Sequence, residues 1–260
     1  MATPVVVVTG ASSGIGEALA RRIARERRNL VLVARRAERL ETLAAELAKA
    51  HGMQATPLPC DLMAADGPQT LVAELDRRGF EIEWLVNNAG FGTFGKFHEL
   101  PIDRELDEIH LNVTAPVALT GLVLPGMVGR GRGAIVNVAS VAGFGPMGLN
   151  ATYCATKAFL IAFSEALAVD VHGTGVSVLC VCPGFTRTEF QEKAHIDTAQ
   201  VPAIAWMTAD AVADQTVAAI GKQTILVNGT LNRAMAMALR LAPRRLIASA
   251  TVRTNARAIR

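Results

Sequence analysis

Short apolar runs alternate with longer amphipathic stretches along most of this chain. The run VVVVTG at residues 5–10 is β-branched and closed by a glycine, which is typical of a strand buried on both faces. Similar runs lie in NLVLVAR, ATPLPCDL, IEWLVNNAG, AIVNVAS, VSVLCVCPG and TILVNG, and helical spacing of apolar positions, as in GEALARRIARER, separates them. This alternation predicts βαβ units in an α/β fold: a Rossmann-type doubly wound parallel sheet with helices on both faces, in three layers.

Composition supports one globular unit. The 260 residues are 51% hydrophobic and 19% charged, with no composition break, low-complexity linker or repeat, so we predict a single domain over residues 1–260. A net charge of +3 does not indicate a nucleic-acid-binding protein. No uninterrupted apolar run reaches the roughly 18 residues of a membrane span, and the first residues lack the basic start of a signal peptide.

Cysteine and histidine positions give no sign of a metal centre. The four cysteines show neither zinc spacing nor a CxxC pair, and the five histidines fall at no spacing that gathers ligands. We therefore predict no metal, and we expect reduced, buried thiols in a cytoplasmic protein.

A glycine-rich turn follows the first predicted strand. In TGASSGIG the glycines are spaced GxxxGxG where the strand gives way to a helix, and such a turn lets a phosphate approach backbone N–H groups. We predict a dinucleotide pyrophosphate site here; an ordinary glycine-rich turn is the alternative. The cofactor-binding residues expected in this turn are Gly10, Ser12, Ser13, Gly14, Ile15 and Gly16.

Two arginines stand where the second predicted strand ends. An acidic residue at this position accepts from the ribose 2′-hydroxyl of NAD, whereas an arginine pairs with the 2′-phosphate of NADP. The chain has Arg35 and Arg36 there, with no carboxylate before Glu38, so NADP(H) is expected in preference to NAD(H). A solvated helix start is the alternative explanation of these arginines.

Three motifs together resemble one enzyme family. TGASSGIG is followed by NNAG after the fourth predicted strand, and Ser140 lies thirteen residues before the first residue of YCATK. Over residues 5–188 the chain resembles the short-chain dehydrogenases/reductases, single-domain enzymes that also tend to assemble as homodimers or homotetramers.

The resemblance implies four catalytic residues. Tyr153 would be the general acid/base, although tyrosine has an ordinary pKa of about 10. Lys157, one helical turn away, would lower that pKa and bind the nicotinamide ribose. Ser140 would stabilise the substrate carbonyl, and Asn112 would hold a proton-relay water, with Pro116 interrupting helix hydrogen bonding four residues later.

The same resemblance implies further contacts along the cofactor. Two residues of CDL would frame the adenine, the NNAG turn would touch the adenosine, and PGFT would pass the nicotinamide. These residues are Asp61, Leu62, Asn88, Ala89, Gly90, Pro183, Gly184 and Thr186, with Tyr153 and Lys157 at the ribose.

Residues 185–210 form a connection long enough to be a substrate lid. Val201, Ile204, Trp206 and Met207 are expected to give the lid an apolar underside, with an aromatic wall from FGTFGKF at residues 91–97. Both features favour a lipophilic small-molecule substrate, a ketone, an alcohol or an acyl compound, although the same side chains could simply seal the fold.

The C-terminal segment, residues 231–260, is a predicted basic helical tail. Seven arginines and no acid fall between Arg233 and Arg260, among apolar residues, and Arg253, Arg257 and Arg260 share one helical face. Such a pattern suits peripheral contact with an anionic membrane. We favour a helix docked on the body of the protein, interrupted at Pro243.

The sequence thus predicts an NADP(H)-dependent oxidoreductase that interconverts a carbonyl and a secondary alcohol. Three alternatives remain: an NAD-dependent dehydrogenase, an epimerase or dehydratase that uses the cofactor transiently, and an NADPH-binding sensor or scaffold without turnover. Intact Ser140, Tyr153 and Lys157 argue against the sensor.

Overall fold

A seven-stranded parallel sheet forms the centre of the molecule. The computed structural model describes residues 2–194, 201–243, 245 and 247. The sheet strands are β1 (Thr3–Thr9), β2 (Leu30–Ala34), β3 (Ala55–Pro59), β4 (Phe80–Asn87), β5 (Gly133–Val138), β6 (Val176–Cys182) and β9 (Ile225–Val227), in the order β3-β2-β1-β4-β5-β6-β9. A separate parallel pair joins β7 (Thr186–Arg187) to β8 (Met207–Thr208). The predicted Rossmann-type sheet is confirmed.

Helices connect the strands and cover both faces of the sheet. They are α1 (Gly14–Ala24), α2 (Ala37–His51), α3 (Gly67–Arg77), α4 (Ile102–Ile109), α5 (Ala115–Arg130), α6 (Ala151–Asp170), α7 (Phe190–Lys193), α8 (Ala209–Ala219) and α9 (Thr230–Leu241). Successive residues of β1 point to opposite faces. Val6 and Val8 pack with α1, α2 and α8, whereas Val5 and Val7 pack with α3, α5 and α6. The three predicted layers are therefore present, and β1 is buried on both faces.

Two helical stretches, residues 102–130 and α6, are long and apolar enough to cross a membrane by length and composition alone. In the structure Leu119 and Val123 of α5 and Leu167 of α6 are buried against Val5 and Val178 of the sheet. Their apolar character is thus that of core helices packed on one face of a parallel sheet.

A π-helical turn, His110–Thr114, separates α4 from α5. The Ala115 N–H donates to the His110 carbonyl, five residues back. Pro116 carries no N–H, so the Asn112 carbonyl has no donor four residues ahead. The predicted interruption of helix hydrogen bonding at this proline is confirmed.

The predicted lid and tail are described only in part. Residues 185–194 and 201–210 contain β7, α7 and β8, and α9 begins the C-terminal segment. Residues 195–200, with His195, and residues 248–260, with Arg253, Arg257 and Arg260, lie outside the described residues. The boundaries of the lid and the placement of the tail therefore remain predictions.

Gly16 is predicted to be intolerant of a side chain. A Cβ there would overlap Asn88 Nδ2 and the Gly10 carbonyl, so the turn after β1 and the turn after β4 would have to separate. We expect Gly16→Ala to lower the free energy of unfolding by about 1–3 kcal/mol, as overpacking typically does.

Urea denaturation of the two glycine variants tests this. Gly129→Ala is the matched control, because nothing lies within 4 Å of a Cβ at this exposed position in α5. It is expected to gain roughly 0.5–1 kcal/mol from helix propensity. Equal stabilities for the two variants would contradict the close approach at Gly16.

Candidate active site

A large cavity lies at the carboxyl edge of the sheet, where open α/β folds bind ligands. Its volume is about 1560 Å³, and its walls come from the ends of β1, β2, β4, β5 and β6 with α6, α9 and residues 185–194. Of the predicted site residues, all but Gly16 and Asn112 line it. Gly16 packs beneath the turn, and Asn112 is buried behind the cavity wall, so the roles predicted for these two residues stay predictions.

The glycine-rich turn is shaped by its close approach to β4. Gly10 and Gly14 have φ angles of +67° and +60°, a left-handed conformation that favours glycine. A Cβ on Gly10 would lie 2.7 Å from Asn88 Nδ2. The turn therefore keeps its backbone open to the cavity at the N-terminus of α1, as a pyrophosphate site requires.

Thr9, which the sequence did not single out, fixes the NNAG turn. Its Oγ1 accepts hydrogen bonds from the backbone N–H groups of Asn88 and Ala89, both at 3.0 Å, and donates to the Val86 carbonyl at 3.1 Å. Asn88 Nδ2 donates in return to the Thr9 carbonyl at 2.8 Å. One buried hydroxyl thus joins the ends of β1 and β4, although a threonine at a strand end carries no distinctive sequence signal.

Ser140, Tyr153 and Lys157 come together on the cavity wall. Tyr153 and Lys157 lie one turn apart in α6, with Lys157 Nζ 5.6 Å from the centre of the Tyr153 ring. Lys157 Nζ donates to the Val138 carbonyl at 2.9 Å, which ties α6 to the end of β5. Ser140 follows β5, where its Oγ accepts from the Ala142 N–H at 3.1 Å.

Burial dominates the electrostatics of this pair. It raises the pKa of Tyr153, an effect that hydrogen bonding with Ser140 partly offsets and that the nearby Glu108 carboxylate strengthens. Burial also lowers the pKa of Lys157 to about 8. Lys157 is not among the groups that shift the pKa of Tyr153 in the protein alone, so its predicted effect on that pKa stays a prediction.

Asn112 is locked in place and is not a solvated helix residue. Only 1% of it is exposed. Its Oδ1 accepts from the Phe91 N–H at 3.2 Å, and its Nδ2 donates to the Phe91 carbonyl at 2.8 Å and to Thr156 Oγ1 at 3.2 Å. The side chain therefore joins the π-helical turn to α6 and to the loop after NNAG.

Some of the residues predicted for the lid and the aromatic wall line the cavity, whereas others face solvent. Phe91, Phe94 and Val201 line the cavity as expected. Ile204 is 83% exposed, so its expected place on the apolar underside is wrong. Phe190, which the sequence did not indicate, packs against the Tyr153 ring with 5.4 Å between ring centres.

Comparison with known proteins identifies the family. A family model described as short chain dehydrogenase matches residues 4–199, about three quarters of the chain. The chain belongs to the short-chain dehydrogenase family.

Individual relatives agree with this assignment. An uncharacterized oxidoreductase of Myxococcus xanthus is 41% identical over 183 residues, which are 70% of this chain and 72% of that protein. The NADP-dependent 3-hydroxy acid dehydrogenase YdfG of Salmonella typhi is 37% identical over 72% of this chain and 74% of its own. A short-chain dehydrogenase from Sphingobium yanoikuyae, solved in complex with NADPH, superposes with a TM-score of 0.84 at 35% identity, covering 94% and 95% of the two chains.

This short-chain dehydrogenase also buries two acids beside α6, the helix that carries Tyr153 and Lys157. Glu105 hydrogen-bonds Thr152, the residue before Tyr153. Glu108 Oε2 accepts from the Thr93 N–H and Oγ1, both at 2.9 Å. Both acids lie on α4. The sequence feature that could have indicated Glu108 is its position one helical turn before Asn112.

Glu108 is buried away from water, with 0% exposed. This burial raises its pKa to about 7, helped by the charge of Glu105 and opposed by the Thr93 hydrogen bonds and by Lys157. A carboxyl group whose pKa is raised on folding stabilises the folded state least where it is ionised. Stability should therefore decline as pH rises from the unfolded value of 4.5 toward about 7 and stay lower above that.

Glu108→Gln should remove this cost because an amide does not ionise. At about pH 8 we expect the variant to be more stable than the unchanged short-chain dehydrogenase, by on the order of 2–3 kcal/mol, with little difference near pH 4.5. Thermal melts across this range measure the effect. Glu41→Gln, on the exposed face of α2, should leave the pH dependence unchanged. If Glu108→Gln and the unchanged protein differed in stability by the same amount at every pH, the raised pKa of Glu108 would be contradicted.

Proposed function

We propose that the chain is an NADP(H)-dependent oxidoreductase that interconverts a carbonyl and a secondary alcohol on a lipophilic small molecule. One observation carries this proposal: Ser140, Tyr153 and Lys157 line the same cavity as the glycine-rich turn and Arg36. A proton donor and a dinucleotide site therefore open on one space. The NADPH complex of the Sphingobium enzyme and the NADP dependence of the Salmonella relative support the choice of cofactor.

The chain's residues fit this cofactor. A turn with left-handed Gly10 and Gly14 leaves room for a pyrophosphate, and the Arg36 guanidinium lies beside it, donating to Ser12 Oγ at 3.1 Å and Ser13 Oγ at 2.7 Å. We expect Arg35 and Arg36 at the 2′-phosphate, Asp61 and Leu62 at the adenine, Asn88, Ala89 and Gly90 at the adenosine, Lys157 at the ribose, and Pro183, Gly184 and Thr186 at the nicotinamide.

The catalytic groups account for the proton. The bound cofactor would supply or accept the hydride. In reduction, Tyr153 Oη gives its proton to the substrate oxygen as the carbonyl carbon gains hydride, and in oxidation it takes the proton back from the alcohol. The Ser140 hydroxyl donates to the same oxygen and stabilises the developing charge.

Apolar side chains surround the substrate half of the cavity. The lining includes many aromatic, aliphatic and thioether groups, together with the polar side chains of Arg104, Asn150 and Gln191. The apolar members are Phe91, Phe94, Met147, Leu149, Phe190, Val201, Met235, Leu239 and Ile247. Burying apolar substrate surface against such a wall is favourable, roughly 25 cal/mol for each Å² removed from water. A ketone or secondary alcohol with a bulky hydrocarbon part fits this lining.

We extend the proposal to assembly and location. Large apolar side chains are exposed on the outer faces of α4 and α5, at Ile102, Leu106, Ile109, Val117 and Leu122. This patch supports homodimer or homotetramer formation. The cysteines are free thiols, which suits a cytoplasmic location.

Loss of the Tyr153 proton donor tests the mechanism. Tyr153→Phe keeps the ring that packs on Phe190, so NADPH affinity should stay within about twofold while kcat for a lipophilic ketone falls by about 10²–10⁴. Cofactor binding by fluorescence and NADPH oxidation by absorbance give the two values. Near-normal turnover would refute the assignment, and an unchanged protein that binds NADPH but turns over no ketone in a broad panel would favour a sensor.

The role proposed for Ser140 is tested by comparing two serine variants. Ser140→Ala should lower kcat by about tenfold or more, because one donor to the substrate oxygen is lost. Ser177→Ala, on β6 away from the cavity, is the matched control and should leave kcat unchanged. Equal activities in the two variants would place Ser140 outside the catalytic machinery.

Cofactor preference is tested at the end of β2. Arg35→Ala and Arg36→Ala should each weaken NADPH binding about tenfold or more and NADH binding much less, because a charge-assisted contact to the 2′-phosphate is lost. Fluorescence titration with both cofactors measures this. Equal losses for NADPH and NADH would mean that neither arginine reads the phosphate.

A further inference from the structure

The carboxylate of Glu189 forms ion pairs with two arginines at the start of α2. Glu189 Oε2 lies 3.1 Å from Arg36 Nη1, and Glu189 Oε1 lies 2.6 Å from Arg39 Nη1. The ion pair raises the pKa of Arg39. Glu189 comes from the segment after β6, about 150 residues away in sequence, so nothing in the local sequence pattern indicates this contact.

The position of this ion pair is the expected site of a phosphate. Arg36 also donates from Nη2 to the Ser12 carbonyl at 3.2 Å, so its guanidinium is held against the glycine-rich turn. Residues from the end of β2, this turn and Glu189 all line the same part of the cavity. A carboxylate and a phosphate both bind guanidinium groups through paired oxygens, so the two anions require the same donors.

We propose that Glu189 competes with the 2′-phosphate of NADPH for Arg36 and Arg39, and thereby sets how strongly the enzyme prefers NADPH to NADH. This inference rests on the proposed use of NADP(H). A phosphate that enters must displace the carboxylate or bind beside a like charge, and either cost is absent for NADH, which has no 2′-phosphate. Arg39 then joins Arg35 and Arg36 as a third phosphate-binding arginine.

Displacement of Glu189 would also reach the catalytic end of the cavity. Its neighbour Thr188 packs on the glycine-rich turn, where a Cβ on Gly14 would lie 3.1 Å from Thr188 Cγ2. Its other neighbour, Phe190, contacts the Tyr153 ring. Thr188, Glu189 and Phe190 therefore contact, in that order, the glycine-rich turn, the two arginines and the Tyr153 ring.

Glu189→Gln tests the competition directly, since it removes the charge and keeps the size. Titrations with NADPH, NADH and 2′,5′-ADP should show about 3–10-fold tighter binding of NADPH and 2′,5′-ADP, as expected for relief of a partly exposed charge, and NADH within about twofold. Glu192→Gln, three residues along on α7 and exposed, is the matched control and should change none of these affinities.

Two arginine variants confirm the route of the effect. In a protein carrying Arg36→Ala and Arg39→Ala together, Glu189→Gln should no longer tighten 2′,5′-ADP binding, because the donors for which it competes are gone. Persistence of the gain in that background would contradict competition for these guanidinium groups.

The outcomes separate this inference from the proposed cofactor. If the unchanged protein binds NADH more tightly than NADPH, the proposed NADP preference fails, but a shift toward NADPH in Glu189→Gln still supports competition. If Glu189→Gln leaves the ratio of the two affinities unchanged, or weakens both equally, the inference is overturned. An equal loss of affinity for NADPH and NADH would instead show that Glu189 holds residues 186–193 in place over either cofactor.

Discussion

The close contact between the turn after β1 and the turn after β4 is the constraint on which this molecule depends. The two backbones can meet because Gly10 and Gly16 have no side chain, and Thr9 joins them through a buried hydroxyl. Since the carboxyl ends of parallel strands share one edge, this contact sets the floor of the cavity. The glycine-rich turn and the NNAG turn are both positioned by it.

A second set of contacts holds α6, the helix that carries Tyr153. Asn112 joins Phe91 to Thr156, while Glu105 and Glu108 join α4 to Thr152 and Thr93. These buried polar side chains surround α6 at the level of Tyr153 and Lys157 without contacting the substrate space directly. Burial raises the pKa of Glu108 and the pKa of Tyr153, so both groups hold their protons more tightly than they would in water.

Strand periodicity was enough to predict the fold, and the glycine spacing and the YxxxK pair indicated the glycine-rich turn and the Tyr153–Lys157 pair, because each of these patterns depends on local geometry. The other predicted site residues came from the resemblance to the family. Long-range contacts were not predictable in this way. Glu189 reaches Arg36 only after the chain has closed around the sheet, and Phe190 meets Tyr153 for the same reason. Ile204, apolar yet 83% exposed, shows that composition alone does not say which side of a loop faces the cavity.

Direct transfer of hydrogen between cofactor and substrate tests the central claim. NADPH carrying deuterium at the transferred position is incubated with the protein and a panel of bulky ketones, and the products are analysed by mass spectrometry. The account predicts an alcohol with one deuterium on the carbinol carbon, and none when Tyr153 is replaced by phenylalanine. Tight NADPH binding with no deuterated alcohol from any ketone would contradict an oxidoreductase acting at this site.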